Sequence, residues 1–577
     1  MFELSSLLSA PRDILAVRVL NEDDFRQGNY RDGNVLRCRG IIRDVQDPEL
    51  VLSGGAIPAS TDGEAVRQQF VERVPLTVTL FPHTSDWATY AYYNSSKVDK
   101  LVKNDSENEC NATFKGIKRS SEVVNDQVID CIEKDQQKVN TKKSKVVDEH
   151  VEVEEALVNS QAVNVYVYAG QYKDISLDAF KVNEAFEFVG ILDLMVAGTD
   201  TKINDSENVL STQQLKELQI SECIDEMQRK ERSGVVLHCC HVIGLQNIHH
   251  VRPHESIEFY QQIDESNETR TQFCLQEWSK LGYDTDILAL RTQLVQYLAQ
   301  AVHGDSLTAE YLLLALLSHV YSRADPSTPL GNLSLNLTLD KSSTEKQKTV
   351  FIHGIYKILT LLMPMVARVD LSITTLNSTK FMPHKDYERE RLLSGILQAA
   401  NGTMMLLNET VLSTGQLNEQ GVKNLAALQS FIDKMLLPYD FRFYTMDFPQ
   451  DVAIVIVSEG KSILPATVVL PVVDTDNTNT NEQPVEALLE CFRLFLSVLR
   501  SFAVTIGNEE ADMAEKHYVE CRKSEQKVAI EDLHRWLRLA RLVALSRGEG
   551  QISKNSWDAM LALETQRLSR LPTMNSK

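Results

Sequence analysis

Short apolar strands separated by amphipathic helices run through the middle of the chain. MMLLN at 404–408 and VAIVIV at 452–457 are apolar almost throughout, which is typical of strands buried on both faces. NLSLNLTL at 332–339 alternates apolar and polar residues and predicts a half-buried strand, while the pattern over 351–363 predicts a helix. This alternation of strands and helices predicts an α/β layer arrangement over residues 287–473.

The first third of the chain has strand composition instead. Gly40 and Gly190 lie inside two of its apolar runs, where a glycine commonly marks a bulge or a sharp bend. Small closed barrels need such bends at their corners, so residues 31–200 predict an OB-like β-domain. A β-domain of another kind stays open as the alternative. The predicted strands are at 35–45, 74–81, 162–169 and 184–194.

A long polar insertion interrupts this predicted domain. Residues 94–161 carry 14 acidic and 11 basic side chains but one aromatic side chain, Phe114. A segment of this composition does not bury enough apolar surface to offset its ordering entropy, so we expect it to be disordered. Its two basic clusters, Lys118-Arg119 and 142–145, either direct nuclear import or belong to an ordinary mixed-charge linker.

The remaining boundaries follow from changes in composition. Residues 1–30 form an N-terminal segment, 201–286 a mixed connecting region and 474–484 a polar linker. Residues 485–577 are predicted to form a helical domain, because apolar residues recur there at helical spacing. One such stripe consists of Leu488, Phe492, Phe495 and Leu499.

Charge and hydropathy argue against two broad classes of function. The chain has 80 acidic and 59 basic residues, and its formal net charge of −21 disfavours general binding to nucleic-acid backbones. The apolar runs are far shorter than the roughly 20 residues of a membrane-spanning helix. The sequence therefore predicts a soluble intracellular protein that does not associate with membranes.

The cysteines predict neither a disulfide framework nor a metal site. Nine cysteines without a CxxC pair are typical of reduced thiols in the cytosol or nucleus. His238, Cys239, Cys240 and His241 are adjacent, but they lie in a predicted strand, where neighbouring side chains point to opposite faces. Four ligands on two faces do not close one tetrahedron around zinc. We therefore expect no metal and no cofactor.

Two places are similar to a nucleotide site that has lost its chemistry. Gly304 opens a helix start with the form of a phosphate-binding loop, but Glu310 stands at the lysine position and Tyr311 at the magnesium-binding hydroxyl position. Asn408 and Glu409 end an apolar strand where a metal-binding acidic pair would stand. An ordinary helix start and an ordinary strand stay open as alternatives, because a true phosphate loop follows a strand and the segment before Gly304 has a helical pattern.

Five unusual strings, in order along residues 302 to about 550, resemble the mini-chromosome maintenance (MCM) complex-binding protein family. They are GDSLTAEYLLLALLSHVYSR, KFMPHKDYERERLLSGILQ, LLNETVLSTGQLNEQGVKNLAAL, VSEGKSILPA and AIEDLHRWLRLARLVALS. VLRCRGIIRDVQDPEL and FKVNEAFEFVGIL extend the resemblance into the N-terminal third.

The resemblance implies a non-enzymatic nuclear protein that binds subunits of the replicative MCM helicase. It further implies roles in helicase assembly and unloading, DNA replication and sister-chromatid cohesion, with chromatin association only indirect and no small-molecule substrate. RERLLSGILQAANGTMMLLNET and SEGKSILPATVVLP also resemble helicase segments, the strand with its acidic pair and the approach to its sensor strand. The implied fold class is mixed α/β and multidomain: an N-terminal OB-like β-domain, a degenerate AAA+-like α/β domain and a C-terminal helical domain.

Two other functions stay open on the residues alone. A divergent but working ATPase would use Glu409 as the base that activates water, although Glu310 would repel the phosphates. A single-strand nucleic-acid binder would stack bases on Tyr90, Tyr92 and Tyr93, although no basic residues are interleaved with them.

Overall fold

The computed structural model describes thirteen stretches of the chain. The predicted insertion 94–161 with both basic clusters, the linker 474–484 and most of segments 1–30 and 201–286 lie outside them. The described residues are 17–20, 30–31, 33–52, 70–90, 92, 162–168, 180–194, 235–244, 287–387, 391–473, 486–500, 502–523 and 528–571. No helix among these residues is long and apolar enough to cross a membrane.

Five strands of the N-terminal part close into a barrel. β1 pairs with β3 and β5, β5 pairs with β6, β6 with β4 and β4 with β3, while β2 extends the sheet from β3. The β4–β6 pair is parallel and the other pairs are antiparallel. The strands are β1 Val35–Val45, β2 Glu49–Leu52, β3 Phe70–Leu80, β4 Ala162–Tyr168, β5 Ala185–Leu194 and β6 Val235–Gly244.

The structure confirms the four strands predicted for this domain and the strand predicted around 238–241, which becomes β6. It also shows that β6 completes the barrel, although residues 201–286 were predicted to be a connecting region. Both mid-strand glycines sit where the barrel backbones approach closely. A Cβ on Gly40 would lie 2.6 Å from the Thr79 carbonyl oxygen, and one on Gly190 2.5 Å from the His238 carbonyl oxygen. The β5–β6 register shifts at Gly190, so this glycine marks a bulge as predicted.

The second part of the molecule is built on a five-stranded parallel sheet of order β10-β13-β16-β9-β17. A four-stranded sheet, β12-β11-β14-β15, and the hairpin β7-β8 lie beside it. The elements are α1 Ile287–Ala301, α2 Ser306–Leu317, β7 Ser322–Asp325, β8 Thr328–Leu330, β9 Ser334–Leu339, α3 Glu345–Leu362, β10 Val366–Asp370, α4 Ile373–Ser378, β11 His384–Asp386, β12 Arg391–Leu393, β13 Met404–Asn408, α5 Glu419–Lys434, β14 Leu436–Asp440, β15 Thr445–Pro449, β16 Ala453–Glu459 and β17 Val468–Pro471.

Helices cover both faces of the parallel sheet, so its strands alternate between two cores. Met404 and Leu406 of β13 face the core formed with α1, α2, α3 and the C-terminal helices. Met405 and Leu407 face the core that contains Phe431 of α5. This period of two explains why residues 404–407 of β13 are all apolar.

The prediction that β9 is half-buried is wrong. All six of its residues are buried, including the polar ones. β9 lies between β16 and β17, so its polar face meets protein instead of water. There the Ser458 hydroxyl donates to Oδ1 of Asn336 at 2.8 Å.

The described residues of 486–571 form four helices, in the part of the chain where helical spacing was predicted. Phe492, Phe495 and Leu499 are buried against the α1–α2 side of the sheet. These helices are α6 Glu486–Arg500, α7 Asn508–Lys523, α8 Ile530–Ser546 and α9 Lys554–Arg570. The coarse class, a mixed α/β protein, is therefore confirmed.

The barrel packs directly on the α/β body. The Ser85 hydroxyl donates to the Met363 carbonyl at 2.6 Å, and the Trp87 indole donates to the Thr360 carbonyl at 2.9 Å. Arg493 of α6 lies over the Trp87 ring, 4.1 Å from its centre. The end of α3 thus forms a docking surface for the segment that follows β3.

Candidate functional site

The topology of the parallel sheet indicates where a ligand site belongs. From β9 the chain crosses to the far edge strand β10, and β17 later adds on the other side of β9. Open α/β sheets bind ligands outside the carboxyl ends of their strands, where the strand order reverses. The loops that follow β9, β13 and β16 lie at that position, and the first of these loops leads into α3.

The loop after β9 closes on itself. Oδ1 of Asp340 accepts from the Ser342 amide at 3.0 Å, and the Asp340 carbonyl accepts from the Ser343 amide at 3.0 Å. The Thr344 amide donates to Oε1 of Gln347 at 2.9 Å, and the Thr344 hydroxyl accepts from the Gln347 amide in a capping box. A phosphate-binding loop aims such amides at its ligand, whereas here the amides of 342–344 already have acceptors.

Two carboxylates pair with Lys348, a buried lysine in the first turns of α3. Nζ of Lys348 lies 2.9 Å from Glu345 and 2.5 Å from Glu459, the last residue of β16. These hydrogen bonds raise the Lys348 pKa. The charge of Lys348 is therefore matched within the protein instead of being free to hold a phosphate.

Asn408 is confirmed at the carboxyl end of β13, and both its nitrogen and its oxygen have partners within the protein. Nδ2 donates to Oδ1 of Asp370 at 2.6 Å, and Oδ1 accepts from the Thr410 amide and hydroxyl at 3.1 and 2.7 Å. A metal ion at this position would have to displace these bonds. Asn408 thus links the ends of β10 and β13.

Glu409 points into the protein. Its carboxylate accepts from the Ser462 hydroxyl at 2.5 Å and from the Ile463 amide at 2.7 Å, and 7% of the residue is exposed. Burial raises its pKa, and the two hydrogen bonds offset part of that effect. A raised pKa suits a general base, yet the oxygens of this carboxylate are turned toward the loop after β16.

Gly304 lies between two helices, not after a strand. It adopts φ +79°, and the next residue, Asp305, caps α2 by accepting from the Leu307 and Thr308 amides at 3.1 and 3.2 Å. The same carboxylate accepts from Arg570 of α9 at 2.6 and 2.9 Å. Burial opposes ionisation of Asp305, but the bonds from Arg570 and Thr308 lower its pKa overall.

Glu310 and Tyr311 have internal partners as well. Glu310 forms a two-pronged ion pair with Arg291 of α1. The fully buried Tyr311 donates its hydroxyl to Glu564 at 2.7 Å, and Glu564 also pairs with Arg535 and Arg567. Glu310 and Tyr311 therefore connect α2 to α1 and α9. Asn408 instead links the ends of β10 and β13, and Glu409 contacts the loop after β16.

We call this set the closed edge: Asp305, 340–344, Lys348, Asn408 and Glu409. Its polar groups are the kind that bind nucleotide and metal, but each already has partners within the protein. No group of three His, Cys, Asp or Glu side chains suited to a metal ion occurs among the described residues. Asp340 and Lys348 were not among the predicted site residues, although a capping-box pattern shortly after β9, T-x-x-Q at 344–347, signals that loop.

The barrel uses its aromatic residues internally. Tyr92 lies over the guanidinium groups of Arg37 and Arg39, 5.2 and 4.4 Å from its ring centre, and burial raises its pKa well above normal. Tyr90 is exposed, and Tyr93 lies outside the described residues. His238 is bonded to Tyr168 at 2.6 Å and to Asp193 at 3.2 Å.

Comparison with known proteins relates the chain to one family. A family model described as mini-chromosome maintenance replisome factor matches residues 58–571. Proteins named mini-chromosome maintenance complex-binding protein are 32% identical over 411 residues in Rattus norvegicus and 26% identical over 615 residues in Drosophila melanogaster. The first alignment covers 69% of this chain and 61% of the rat protein, and the second covers 99% and 95%. Since the family model matches nearly the whole described structure, the chain belongs to the mini-chromosome maintenance replisome factor family.

Proposed function

We propose that this protein binds subunits of the MCM complex and does not catalyse a reaction. The observation that carries the proposal is the family match over residues 58–571. The rat and fly relatives are named for binding that complex. The chain aligns with 61% of the rat protein and 95% of the fly protein. Binding to the MCM complex is therefore proposed for this chain on the basis of both relatives.

The proposal includes an architecture like that of a helicase subunit, which the sequence resemblance implies. In this proposal, the closed barrel with its parallel β4–β6 pair is the OB-like domain. The parallel sheet that contains β9 belongs to the AAA+-like domain. The segment AIEDLHRWLRLARLVALSRGEGQIS at 529–553, which contains α8, resembles the helical lid that follows a helicase ATPase core and is the lid-like part. A chain with this architecture would occupy or mimic the position of a subunit without contributing a working nucleotide site.

The closed edge supports the non-enzymatic part of the proposal. Phosphoryl transfer depends on positive charge and free backbone amides around the phosphates. Here the amides of 342–344 have acceptors and Lys348 is paired with two carboxylates. ATP would have to break these contacts before it could bind.

The cellular part of the proposal is a nuclear role in helicase assembly and unloading, DNA replication and sister-chromatid cohesion. Lys118-Arg119 and the basic residues of 142–145 would serve as the import signal. Replacing all five basic residues with alanine should abolish nuclear enrichment of a tagged copy in cells. Unchanged enrichment would refute a direct signal in these clusters.

Direct binding to purified MCM subunits is the main test. Each subunit would be immobilised separately and titrated with the full chain, with albumin as the control surface. Saturable binding to at least one subunit is the expected result. Failure to bind every subunit, alone and assembled, would refute the proposal.

Calorimetry with ATP and Mg²⁺ tests the non-enzymatic part. We expect no measurable binding heat and no phosphate release from the unmodified chain. Tight binding with hydrolysis that Glu409→Gln abolishes would instead establish the divergent ATPase.

A further inference from the structure

The hairpin of β14 and β15 carries a group of aromatic side chains exposed to solvent. Phe443 at its turn is 81% exposed, Tyr444 is 56% exposed, and Tyr387 packs beside them at 47%. We call these three residues, together with the half-buried Phe441 and the exposed Met446, the aromatic tip. Single exposed apolar residues are ordinary, whereas a contiguous group on one projecting turn marks an interaction site.

The aromatic tip is held in one conformation before any partner arrives. The Phe441 amide donates to the Tyr444 carbonyl at 3.0 Å, and the Tyr387 hydroxyl donates to the Phe441 carbonyl at 2.8 Å. The Phe441 and Tyr444 rings stack at 5.0 Å, and the Phe443 ring meets Tyr387 edge-on at 6.1 Å. A surface that is already ordered loses less conformational entropy on binding.

The turn backbone adopts an uncommon conformation to present these rings. Arg442 lies in the left-handed region at φ +64°, which side-chain-bearing residues rarely adopt. Its amide donates to Oδ1 of Asp440 at 2.7 Å, which stabilises the turn, and its guanidinium lies 5.8 Å from the Phe443 ring centre. Aromatic and arginine side chains together are the residues most enriched at the energetic centres of protein interfaces.

The local charge favours a protein over nucleic acid as the occupant. A site for single-stranded nucleic acid combines stacking rings with a positively charged groove. The two segments that form the tip, 384–387 and 440–447, carry two basic side chains and three acidic ones. They are Lys385, Arg442, Asp386, Asp440 and Asp447.

We infer that the aromatic tip is the contact through which this protein binds the MCM complex, with the Phe443 ring inserted into an apolar pocket of one subunit. Phe443 lies in the turn that joins β14 to β15, and its exposed ring is free to enter a pocket on another protein. The inference rests on the proposed function and adds to it the surface used. It does not involve the closed edge.

The test compares two double variants of the full chain against the immobilised MCM subunit that the unmodified chain binds. Phe443→Ser with Tyr444→Ser removes two rings from the tip. Val350→Ser with Val422→Ser is the matched control, because these valines are 66% and 56% exposed on helices α3 and α5. We expect the tip variant to bind at least about tenfold more weakly and the control to bind as the unmodified chain does.

Two further measurements separate loss of contact from loss of fold. Circular dichroism should show the same thermal midpoint for both variants, because all four side chains are exposed in the folded state. Phe443→Leu keeps an apolar side chain at the turn and should retain most of the affinity.

The outcomes distinguish the inference from the function on which it rests. Full affinity in the tip variant, with binding by the unmodified chain, would overturn the inference and leave the proposed function standing. No binding by the unmodified chain would overturn both. Loss of oligo-dT binding in the tip variant, with subunit binding unchanged, would establish single-stranded DNA as the occupant and overturn the inference.

Discussion

The closed edge and the aromatic tip belong to the same α/β body but differ in whether their side chains contact the protein or the solvent. At the closed edge, groups able to bind phosphate or metal already have protein partners: Lys348 pairs with Glu459, and Glu409 accepts from Ser462. At the tip, rings that would contribute to a core stay in solvent, as Phe443 shows. The first arrangement contributes to folding, whereas the second contributes little to it.

This difference shows where binding free energy is available. A polar group that already has partners must lose them before it binds a ligand, so the gain is small. An exposed aromatic ring loses only water when it enters a pocket, and its apolar area is then removed from solvent. Four predictions test this contrast, from the largest expected effect to the smallest.

Asp305→Ala should have the largest effect, because it opens the closed edge. The Asp305 carboxylate is 1% exposed, caps α2 and pairs with Arg570. Its loss leaves the Arg570 guanidinium and the Val473 amide without this acceptor. We expect a loss of about 3–5 kcal/mol in the free energy of unfolding, measured by urea denaturation.

Asp325→Ala is the matched control for that variant. Asp325 accepts from the Ser327 amide in the same local manner, but it lies fully exposed on the β7–β8 hairpin. A much smaller effect is expected there. Equal losses in the two variants would show that the turn, not the contact with Arg570, determines the contribution of Asp305.

Acid should weaken the same contact. The Asp305 pKa is lowered in the folded protein, so its contribution to stability is complete above the ordinary aspartate pKa of about 3.9 and is lost as pH falls through the folded value. Below about pH 4, we expect the free energy of unfolding of Asp305→Ala to fall less steeply with decreasing pH than that of the unmodified chain. Denaturation at a series of pH values measures this dependence. Equal slopes for the variant and the unmodified chain in the acid range would contradict this assignment.

Glu409→Gln should be neutral or mildly stabilising at pH 7. Because burial raises the Glu409 pKa, its ionised form is disfavoured in the folded state, and that penalty shrinks as pH falls toward the raised pKa. Glutamine keeps an acceptor for the Ile463 amide and gains a donor toward the Ser462 hydroxyl. A gain of up to about 1 kcal/mol is expected in urea denaturation; a loss of about 2 kcal/mol would show that the charge is needed.

Phe443→Ser should have the smallest effect on folding. Its ring is exposed, so the free energy of unfolding should change by less than about 0.5 kcal/mol. Phe431→Ala is the comparison, since that ring is fully buried beneath the sheet and its removal should cost about 3–5 kcal/mol. A strongly destabilised Phe443→Ser would mean that the tip is a structural element, against its proposed role as a contact.

Family membership also follows from the sequence, because the five ordered strings lie inside the matched region. The strand positions were predictable for the same local reason in both parts of the molecule. The runs 35–45 and 404–408 match β1 and β13, because apolar patterning is a property of neighbouring residues. The burial of Asn336 and Thr338 was not predictable, because it depends on β16 and β17, which are more than a hundred residues away in the chain.

What only the tertiary structure decided is which polar groups face each other. The sequence placed Asn408 and Glu409 at a strand end and Gly304 at a helix start, and the structure agrees with both positions. It could not show that Glu409 accepts from Ser462, that Asp305 meets Arg570, or that the rings of the β14–β15 turn stay in water. These contacts join residues from 53 to 265 positions apart, and local patterning carries no information on pairs so distant.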